Sequence, residues 1–557
     1  MGTLINMKRR AGVLLVFFIA LAVAVRLYKL DFPLTLNEVK ESYTAYSVLK
    51  TGRDTNGELP GLFFRSDNNF LSSVGVYSKI PAIAVFGLTP FAVRLPSVIF
   101  GLVSVWMFYQ LAVSLTEKRV ARTAAILFAF SPFLIQTNIF DLGHSASILF
   151  VLASLYFLLK KDQKLLLFTS ILSVLSSFSA LIISVAVLVV WVRGKGSGFI
   201  FASAVIAALV GLIALKTHPA LGKFLVRETV IEDSIPSSYT HLIDRRIAEG
   251  FVHNSPLIRG GLNLGRLTAY NKPFYTMNQL AKGIIEPFDY ASLTSARQAG
   301  FILDKEARPD SVLPKFFFWE LPFFVVGAII LFRKAAFPLK AFALSVVIST
   351  LVFKEKGLVY VIPLVALSYS NMFYKFKPSK KLRAPTTLVL SGAALFIFFS
   401  YVSFFDLLYN HENSWLGEND LRQYEIWKAL NEEIEQNKVM ITDRFGEPVH
   451  YYLYYEAVDP AWFGKSKIKG PTTDGGTERI NGVSDVLFGS FKYFESDRKK
   501  DQLWVGLAGE FVGENRNYKH VTSVVDGEVF KKIKGVKQKN QFLGDELWFV
   551  RTIFEEE

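Results

Sequence analysis

The chain contains 557 residues, of which 51% are apolar and 15% aromatic, and its formal net charge is +14. The absence of cysteine excludes disulfides, thiolate metal sites and cysteine nucleophiles. The positive charge does not indicate nucleic-acid binding, because the basic residues lie in short loops between apolar runs and form no basic groove with interleaved aromatic residues.

Long apolar runs dominate the first 405 residues and predict a multi-spanning α-helical membrane protein with about eleven transmembrane helices. The first run follows Lys8, Arg9 and Arg10 and lacks a small-residue cleavage site, so we interpret it as a retained span rather than a signal peptide. The predicted spans cover residues 11–27, 94–115, 121–139, 144–159, 165–178, 180–192, 198–215, 315–332, 339–353, 357–374 and 385–405.

The distribution of lysine and arginine supports this count. With a cytoplasmic N-terminus, the inner loops contain the basic clusters, whereas the short outer loops contain only Lys354 and Lys356. Residues 165–192 could instead form one tilted span with a re-entrant piece, but this would move the later basic clusters outside. We therefore expect a multi-pass protein of the plasma membrane.

Three long segments are then extracytoplasmic: residues 28–93, residues 216–314 and the region from 406 onwards. In the first, residues 38–50 predict a short surface helix, and the apolar residues 76–86, interrupted by Pro81, predict a segment along the interface. The second is long and rich in aromatic residues, which favours an ordered lid over a site.

The chain divides into a transmembrane domain, residues 1–405, and a soluble extracytoplasmic α/β domain, residues 406–557. In the second domain, helical periodicity covers residues 421–436 and 448–457. Short strands are predicted at residues 438–442, 486–494, 502–506, 520–525 and 546–553.

Several motifs occur in a fixed order along the N-terminal part of the chain. They are RLYKLDFP at 26–33, Asn37 with Glu38, AYSVLKTGRD at 45–54, Gly57 with Glu58, GVY at 75–77, FGL at 86–88, VRLPS at 93–97 and SPF at 131–133. In this order and spacing the chain resembles the GT-C glycosyltransferases, the protein O-mannosyltransferase and aminoarabinose-transferase group that uses polyprenyl-phosphate sugars. The resemblance is good to about residue 160, weaker to about residue 405 and faint beyond.

The resemblance implies transfer of a sugar from a polyprenyl-phosphate donor to an extracytoplasmic acceptor, which is a protein or a cell-surface glycan or lipid. It also implies a general base from an Asp-Glu pair in the first outer loop, but Asn37 stands where the Asp is expected. Because an amide cannot accept a proton at neutral pH, either Glu38 is the base or the site is inactive. The Arg and Glu expected after the SPF motif are also missing from residues 136–144.

Ionisable residues at the predicted outer boundaries of the spans are the candidate site residues. We predict that the carboxylates of Glu38 and Asp141 are catalytic, with one of them deprotonating the acceptor hydroxyl. The predicted substrate-binding residues are Asn37, Arg94, His144, Lys354 and Lys356. Of these, Arg94, Lys354 and Lys356 are the cations that would stabilise the phosphate leaving group. Alternatively, Lys354 and Lys356 extend to the interface from apolar surroundings, and Arg94 stabilises packing at the membrane boundary.

No cofactor and no metal site are predicted, although some members of the family bind a divalent ion. The sequence has no phosphate-binding loop, no HExxH motif and no nucleophile elbow, and its seven histidines are scattered. The expected partners are the lipid-linked donor, membrane lipids and the acceptor. Two alternatives remain: an inactive scaffold of the same fold that binds lipid-linked sugar or a partner protein, and a transporter, which would usually show broken spans in matched halves.

Overall fold

The computed structural model describes residues 17–193, 315–375 and 383–410, except residues 29, 63, 67–68, 141, 318–319, 335–336 and 354, together with parts of the chain between 420 and 552. The predicted span 198–215, the predicted lid 216–314 and most of the predicted helix 421–436 lie outside the described residues.

The N-terminal and central parts are mainly helical. The helices are α1 (Phe17–Leu27), α2 (Leu36–Thr51), α3 (Ser73–Phe86), α4 (Pro90–Leu115), α5 (Lys118–Ala129), α6 (Pro132–Phe140), α7 (Leu142–Lys160), α8 (Gln163–Ser176), α9 (Leu181–Arg193), α10 (Glu320–Lys334), α11 (Phe337–Phe353), the short α12 (Glu355–Leu358), α13 (Ile362–Lys375) and α14 (Arg383–Asn410). Short 3-10 turns at Phe178–Ala180 and Val359–Val361 precede α9 and α13. The described helices therefore follow most of the predicted apolar runs.

The helical bundle is built around α4 and α7. These two helices pack against each other, α7 also packs on α8, and α13 packs on α5 and α10. Their apolar side chains form one buried core, which includes Phe108, Phe128 and Leu152. Thr89 fixes the start of α4, because its side chain accepts a hydrogen bond from the backbone N–H of Ala92 and Pro90 occupies the first turn.

Two of the described helices, Pro90–Leu115 and Gly143–Lys160, are both long enough and apolar enough to cross a membrane. A third span is added if α5 and α6 are counted as one bent helix pair. Shorter apolar helices of 10–17 residues are Phe17–Leu27, Ser73–Phe86, Gln163–Ser176, Phe178–Val192 and Phe337–Phe353. The described part of the protein thus contains apolar helices suited to a membrane, and the count of about eleven spans stays a prediction.

The predicted span 121–139 is broken into two helices that meet at an angle of 54°. The break precedes Pro132, which has no N–H to donate and whose ring clashes with the preceding turn. Two side chains satisfy carbonyl groups at the break: Arg26 Nη2 donates to Ala129 O (2.7 Å), and Tyr401 donates to Phe130 O (3.0 Å). Contacts from α1 and α14 therefore stabilise a helix break that the periodicity did not predict.

The first outer segment contains the predicted surface helix as α2. The helix begins with a capping box, in which the Thr35 hydroxyl accepts from the backbone N–H of Glu38 and the Glu38 carboxylate accepts from the backbone N–H of Thr35. It ends at Gly52, whose φ is 68°. A two-stranded antiparallel ribbon, β1 (Phe64–Ser66) and β2 (Asn69–Leu71), follows. The predicted interfacial segment is α3, which continues through Pro81.

The C-terminal part contains a seven-stranded mixed sheet with strand order β4-β5-β6-β3-β7-β9-β8. Its strands are β3 (Lys438–Ile441), β4 (Lys467–Thr472), β5 (Glu478–Val483), β6 (Val486–Phe488), β7 (Gln502–Leu507), β8 (Ser523–Val524) and β9 (Leu547–Thr552), and its helices include α15 (Pro448–Tyr455) and α16 (Pro460–Ser466). Strand β3 pairs in parallel with β6 and β7, and the remaining pairs are antiparallel. The sequence predicted the mixture of helices and strands in this part, but it did not predict β4 and β5. Strand β4 contains glycine beside Pro471, and β5 contains glycine beside Asn481, so both sequences have the pattern of a turn.

Helix α2 is covered by this C-terminal part. Leu34, Val39, Tyr43 and Val93 share a buried apolar core with residues such as Trp427 and Phe463, which lie after position 420. The hydroxyl of Tyr43 donates to Val458 O (2.9 Å), and Lys40 Nζ lies 2.5 Å from Glu447 Oε2. The predicted surface helix is therefore a packed element between the bundle and the sheet.

Candidate active site at the outer loop

Glu38 lies at the third helical position of α2 and is only 5% exposed. Its Oε1 accepts from Arg94 Nε (2.7 Å), and its Oε2 accepts from Arg94 Nη2 (3.0 Å), from Thr35 N (2.9 Å) and from the Thr35 hydroxyl (3.1 Å). These contacts hold the carboxylate in one orientation. They join the first turn of α2 to α4, a structural role that the sequence reasoning missed.

Arg94 is fully buried, and all five of its N–H groups bind protein acceptors. Besides the two bonds to Glu38, Nη1 donates to Leu30 O and Phe32 O (both 3.0 Å), and Nη2 donates to Pro33 O (3.0 Å). A guanidinium has five donors, so binding a phosphate would require the loss of one of these contacts. The geometry therefore favours the alternative that Arg94 stabilises packing at the boundary over its predicted role as a phosphate ligand.

Asn37 is exposed, in contrast to its neighbour Glu38. Since adjacent helical residues point in different directions, position 37 faces outwards when position 38 faces Arg94. A carboxylate at position 37 would be accessible to an acceptor, whereas the carboxylate at position 38 is enclosed. The chain thus retains the enclosed acid of the implied Asp-Glu pair and has an amide at the accessible position.

A second buried ion pair lies one turn further along α2. Lys79 Nζ, on α3, is 2.8 Å from Glu41 Oε2, and the lysine side chain is 1% exposed. Gly75 makes room for this carboxylate, because a Cβ there would lie 2.9 Å from either oxygen of Glu41. Sequence reasoning missed the pair; the GVY motif that contains Gly75 is the one signal that pointed to a close approach.

His144 belongs to a hydroxyl network at the ends of several helices. Its Nε2 lies 3.2 Å from Ser177 Oγ and 3.4 Å from Ser179 Oγ. Ser179 contacts the Tyr360 hydroxyl (3.2 Å), which contacts Ser147 Oγ (2.6 Å). The network therefore joins the start of α7 to the 3-10 turns that precede α9 and α13.

Asp141 and Lys354 lie outside the described residues, and Lys356 is exposed in α12. The residue before Asp141 is described: the ring centroid of Phe140 lies 5.4 Å from Arg94 Cζ and 6.0 Å from the Phe32 ring. The end of α6 therefore reaches the Glu38–Arg94 pair. The predicted separation of Glu38 and Asp141, about 10 Å or less, stays a prediction.

Asp420 also reaches the first turn of α2. Its Oδ1 accepts from Leu36 N (3.1 Å) and from the Tyr451 hydroxyl. Burial raises the pKa of Asp420 above its usual range, although both hydrogen bonds act in the opposite direction. Burial also raises the pKa of Tyr451, so this phenol stays protonated as the donor.

Metal binding is not evident in the described part of the chain. No group of three histidine, aspartate or glutamate side chains there is arranged to hold a metal ion. The oxygens described above bind arginine, lysine, tyrosine or backbone N–H groups instead.

Comparison with known families gives one match, over residues 81–221, to the family described as dolichyl-phosphate-mannose-protein mannosyltransferase. The matched segment begins inside α3 and includes α4 to α9. This match confirms the predicted resemblance to the GT-C membrane glycosyltransferases. No curated protein sequence matches the chain.

Among solved structures, the archaeal oligosaccharyltransferase AglB from Archaeoglobus fulgidus, in complex with an inhibitory peptide and a dolichol-phosphate, is 14% identical with a TM-score of 0.43. The alignment covers 80% of this chain and 63% of that one, so the chain spans less than two thirds of the length of that protein. ArnT from Cupriavidus metallidurans in the apo state is 14% identical with a TM-score of 0.36, covering 89% of this chain and 93% of that one. ArnT bound to undecaprenyl phosphate is 12% identical with a TM-score of 0.38 and the same coverage.

Proposed function

We propose that the chain is an integral-membrane glycosyltransferase of GT-C type. It takes a sugar from a polyprenyl-phosphate donor and transfers it to a protein, glycan or lipid acceptor outside the cytoplasm of the cell. The observation that carries this proposal is the family match over residues 81–221. That segment supplies α4, whose Arg94 holds the loop in which the family's acidic pair is expected.

The proposed site lies between the first turn of α2, the end of α6 and the turn at His144. A carboxylate there removes the proton from the acceptor hydroxyl, and nearby cations stabilise the phosphate leaving group. Asp141 is our proposed second carboxylate, since Phe140 packs against Arg94. Lys354 and Lys356 are the proposed phosphate-binding cations, because Arg94 has no donor left for a ligand.

A specific observation favours a second candidate, the inactive scaffold that binds lipid-linked sugar. The accessible acid is replaced by Asn37, and the carboxylate of Glu38 already accepts four hydrogen bonds. A general base must reach the proton that it removes, and Glu38 could do so only if the contacts around it rearranged. Both candidates bind the donor; they differ in the chemical step.

The two candidates are separated by measuring donor binding and sugar transfer on purified protein with a panel of polyprenyl-phosphate sugars. If Glu38 is the base, Glu38→Gln lowers the transfer rate by about 100- to 10,000-fold while donor binding persists. If Glu38 only positions the loop, Thr35→Ala, which removes one of its contacts and keeps its charge, reduces transfer and thermal stability together. Donor binding by the native protein without transfer of any sugar would establish the scaffold; neither binding nor transfer would reject both candidates.

Asn37→Asp provides the complementary test. In a scaffold whose remaining pocket is intact, the new accessible carboxylate restores transfer. In an enzyme that uses Glu38, a second carboxylate beside it adds like-charge repulsion and leaves the rate unchanged or lower.

A further inference from the structure

Glu320 is a buried acid inside the helical bundle. It begins α10 and is 7% exposed, and its Oε2 accepts from the backbone N–H of Phe317 (2.9 Å). Its carboxylate forms no ion pair with any described lysine, arginine or histidine. A carboxylate in apolar surroundings is costly unless it is neutralised by a proton or by a bound cation.

A cavity of about 90 Å³ lies beside this carboxylate. Apolar side chains form most of its wall, and Glu320, Ser131, Tyr369 and Tyr401 supply its polar groups. The hydroxyl of Tyr369, a residue that is 4% exposed, is buried without a hydrogen-bond partner in the described part of the chain. The hydroxyl of Tyr369 and the carboxylate of Glu320, which pairs with no described cation, line the same cavity, and a polar group bound there would satisfy both.

The cavity also adjoins the break between α5 and α6. Ser131, which lines the cavity, lies between the two helices, and Tyr401 donates to Phe130 O at the same break. Irregular backbone at membrane depth is tolerated where it lines a cavity, and interrupted helices in membrane proteins are frequent cation sites. The broken helix and the buried acid are independent observations that meet at one place.

We propose that this cavity is a binding site for a monovalent cation, with the carboxylate of Glu320 and the hydroxyl oxygens of Tyr369 and Ser131 as ligands. One buried negative charge is balanced by one positive charge, whereas a divalent ion would leave a net charge in apolar surroundings. Phe316 and Tyr401 add aromatic side chains to the lining of the same cavity, and aromatic groups attract cations. A single water molecule needs a cavity volume of roughly 10–15 Å³. The cavity of about 90 Å³ therefore accommodates an alkali ion with a few waters, or an ammonium group.

The test compares sodium, potassium and methylammonium chloride with a bulky organic cation chloride at constant ionic strength, using purified full-length protein in detergent. The measurements are the thermal midpoint of unfolding and equilibrium binding of radiolabelled sodium. A ligand that binds only the folded state raises the midpoint by a few degrees once it exceeds its dissociation constant. Stabilisation by the metal ions alone identifies an alkali-ion site, and stabilisation by methylammonium identifies a site for an ammonium group.

Two variants connect the effect to the cavity. Glu320→Gln keeps the shape of the side chain and should abolish the cation-dependent shift and sodium binding. Tyr369→Phe removes the orphaned hydroxyl and should weaken binding, and it provides a second test if Glu320→Gln fails to fold.

The matched control is Asp406→Asn, which changes an exposed acid on α14 and should behave as the native protein does. A native protein with the same midpoint in all four salts, or an equal shift in Glu320→Gln, overturns the proposal.

Discussion

Arg94 and Glu38 form a bidentate ion pair, with Nε 2.7 Å from Oε1 and Nη2 3.0 Å from Oε2. The pair connects the second turn of α4 to the first turn of α2, and the same guanidinium binds three carbonyl groups of the segment between α1 and α2. One side chain thus fixes the path of the loop in which the catalytic acid is expected. The loop is therefore positioned from inside, by α4, and covered from outside by the C-terminal part.

The first prediction concerns Arg94. Arg94→Ala leaves a buried carboxylate without its cation and should cost about 3–5 kcal/mol of unfolding free energy. Arg94→Lys keeps the charge but has only three donors and no planar fork, so it should lie between the alanine variant and the native protein. Thermal unfolding in detergent measures both changes. Arg53→Lys, at an exposed arginine just after α2, is the control, and an equally mild effect of Arg94→Lys would contradict the proposed role of the five contacts.

The second prediction concerns the pair formed by Glu41 and Lys79. Lys79→Met removes the cation that lies 2.8 Å from Glu41 and should cost about 3–5 kcal/mol, because the carboxylate stays in a largely buried position. The double variant Lys79→Met with Glu41→Gln should recover most of this loss, since no charge is left uncompensated. A double-mutant cycle on thermal stability measures the coupling. Additive effects would show that the two charges do not stabilise each other.

The third prediction is a pH dependence at Asp420. Because burial raises its pKa in the folded protein, folding favours the protonated acid. Its contribution to stability is fully present below the pKa of the unfolded chain, about 4, and is lost as the pH rises through the higher folded pKa. Asp420→Asn keeps an acceptor for Leu36 N and Tyr451 but does not ionise, so its stability advantage over the native protein should grow across this interval. Unfolding curves at several pH values test this, and a difference that does not change with pH would contradict it.

The fourth prediction concerns topology. Because α2 and the C-terminal part share one core, Lys50→Cys and Lys465→Cys, both at exposed positions, should be labelled from the same side of the membrane by an impermeant maleimide. Lys118→Cys, at the exposed first residue of α5, should be labelled from the opposite side. The native chain has no cysteine and serves as the blank. Labelling of Lys50→Cys and Lys118→Cys from one side would contradict the predicted orientation of α4.

The sequence by itself determined the helices and strands that a local pattern of apolar residues predicts. The presence and approximate positions of helices α2, α4 and α7 and of the central strands β3 and β7 follow from runs of apolar residues and from their periods. The family resemblance likewise rests on the order of motifs along the chain, and the match over residues 81–221 confirms it. The break before Pro132 also had a local signal, since proline interrupts helical hydrogen bonding, but the apolar run around it concealed that signal.

Only the tertiary structure decided what the ionisable residues contact. Glu38 and Arg94 are 56 positions apart, and neither residue type reveals from sequence whether it binds a substrate or the other side chain. The same holds for Lys79 with Glu41, and for Glu320 beside a cavity formed by distant helices. A buried charge is stabilised by the groups that packing brings to it, and these depend on how separate segments assemble. For this reason the sequence located the candidate loop, whereas the structure showed that its remaining acid is enclosed and that Asn37 occupies the accessible position.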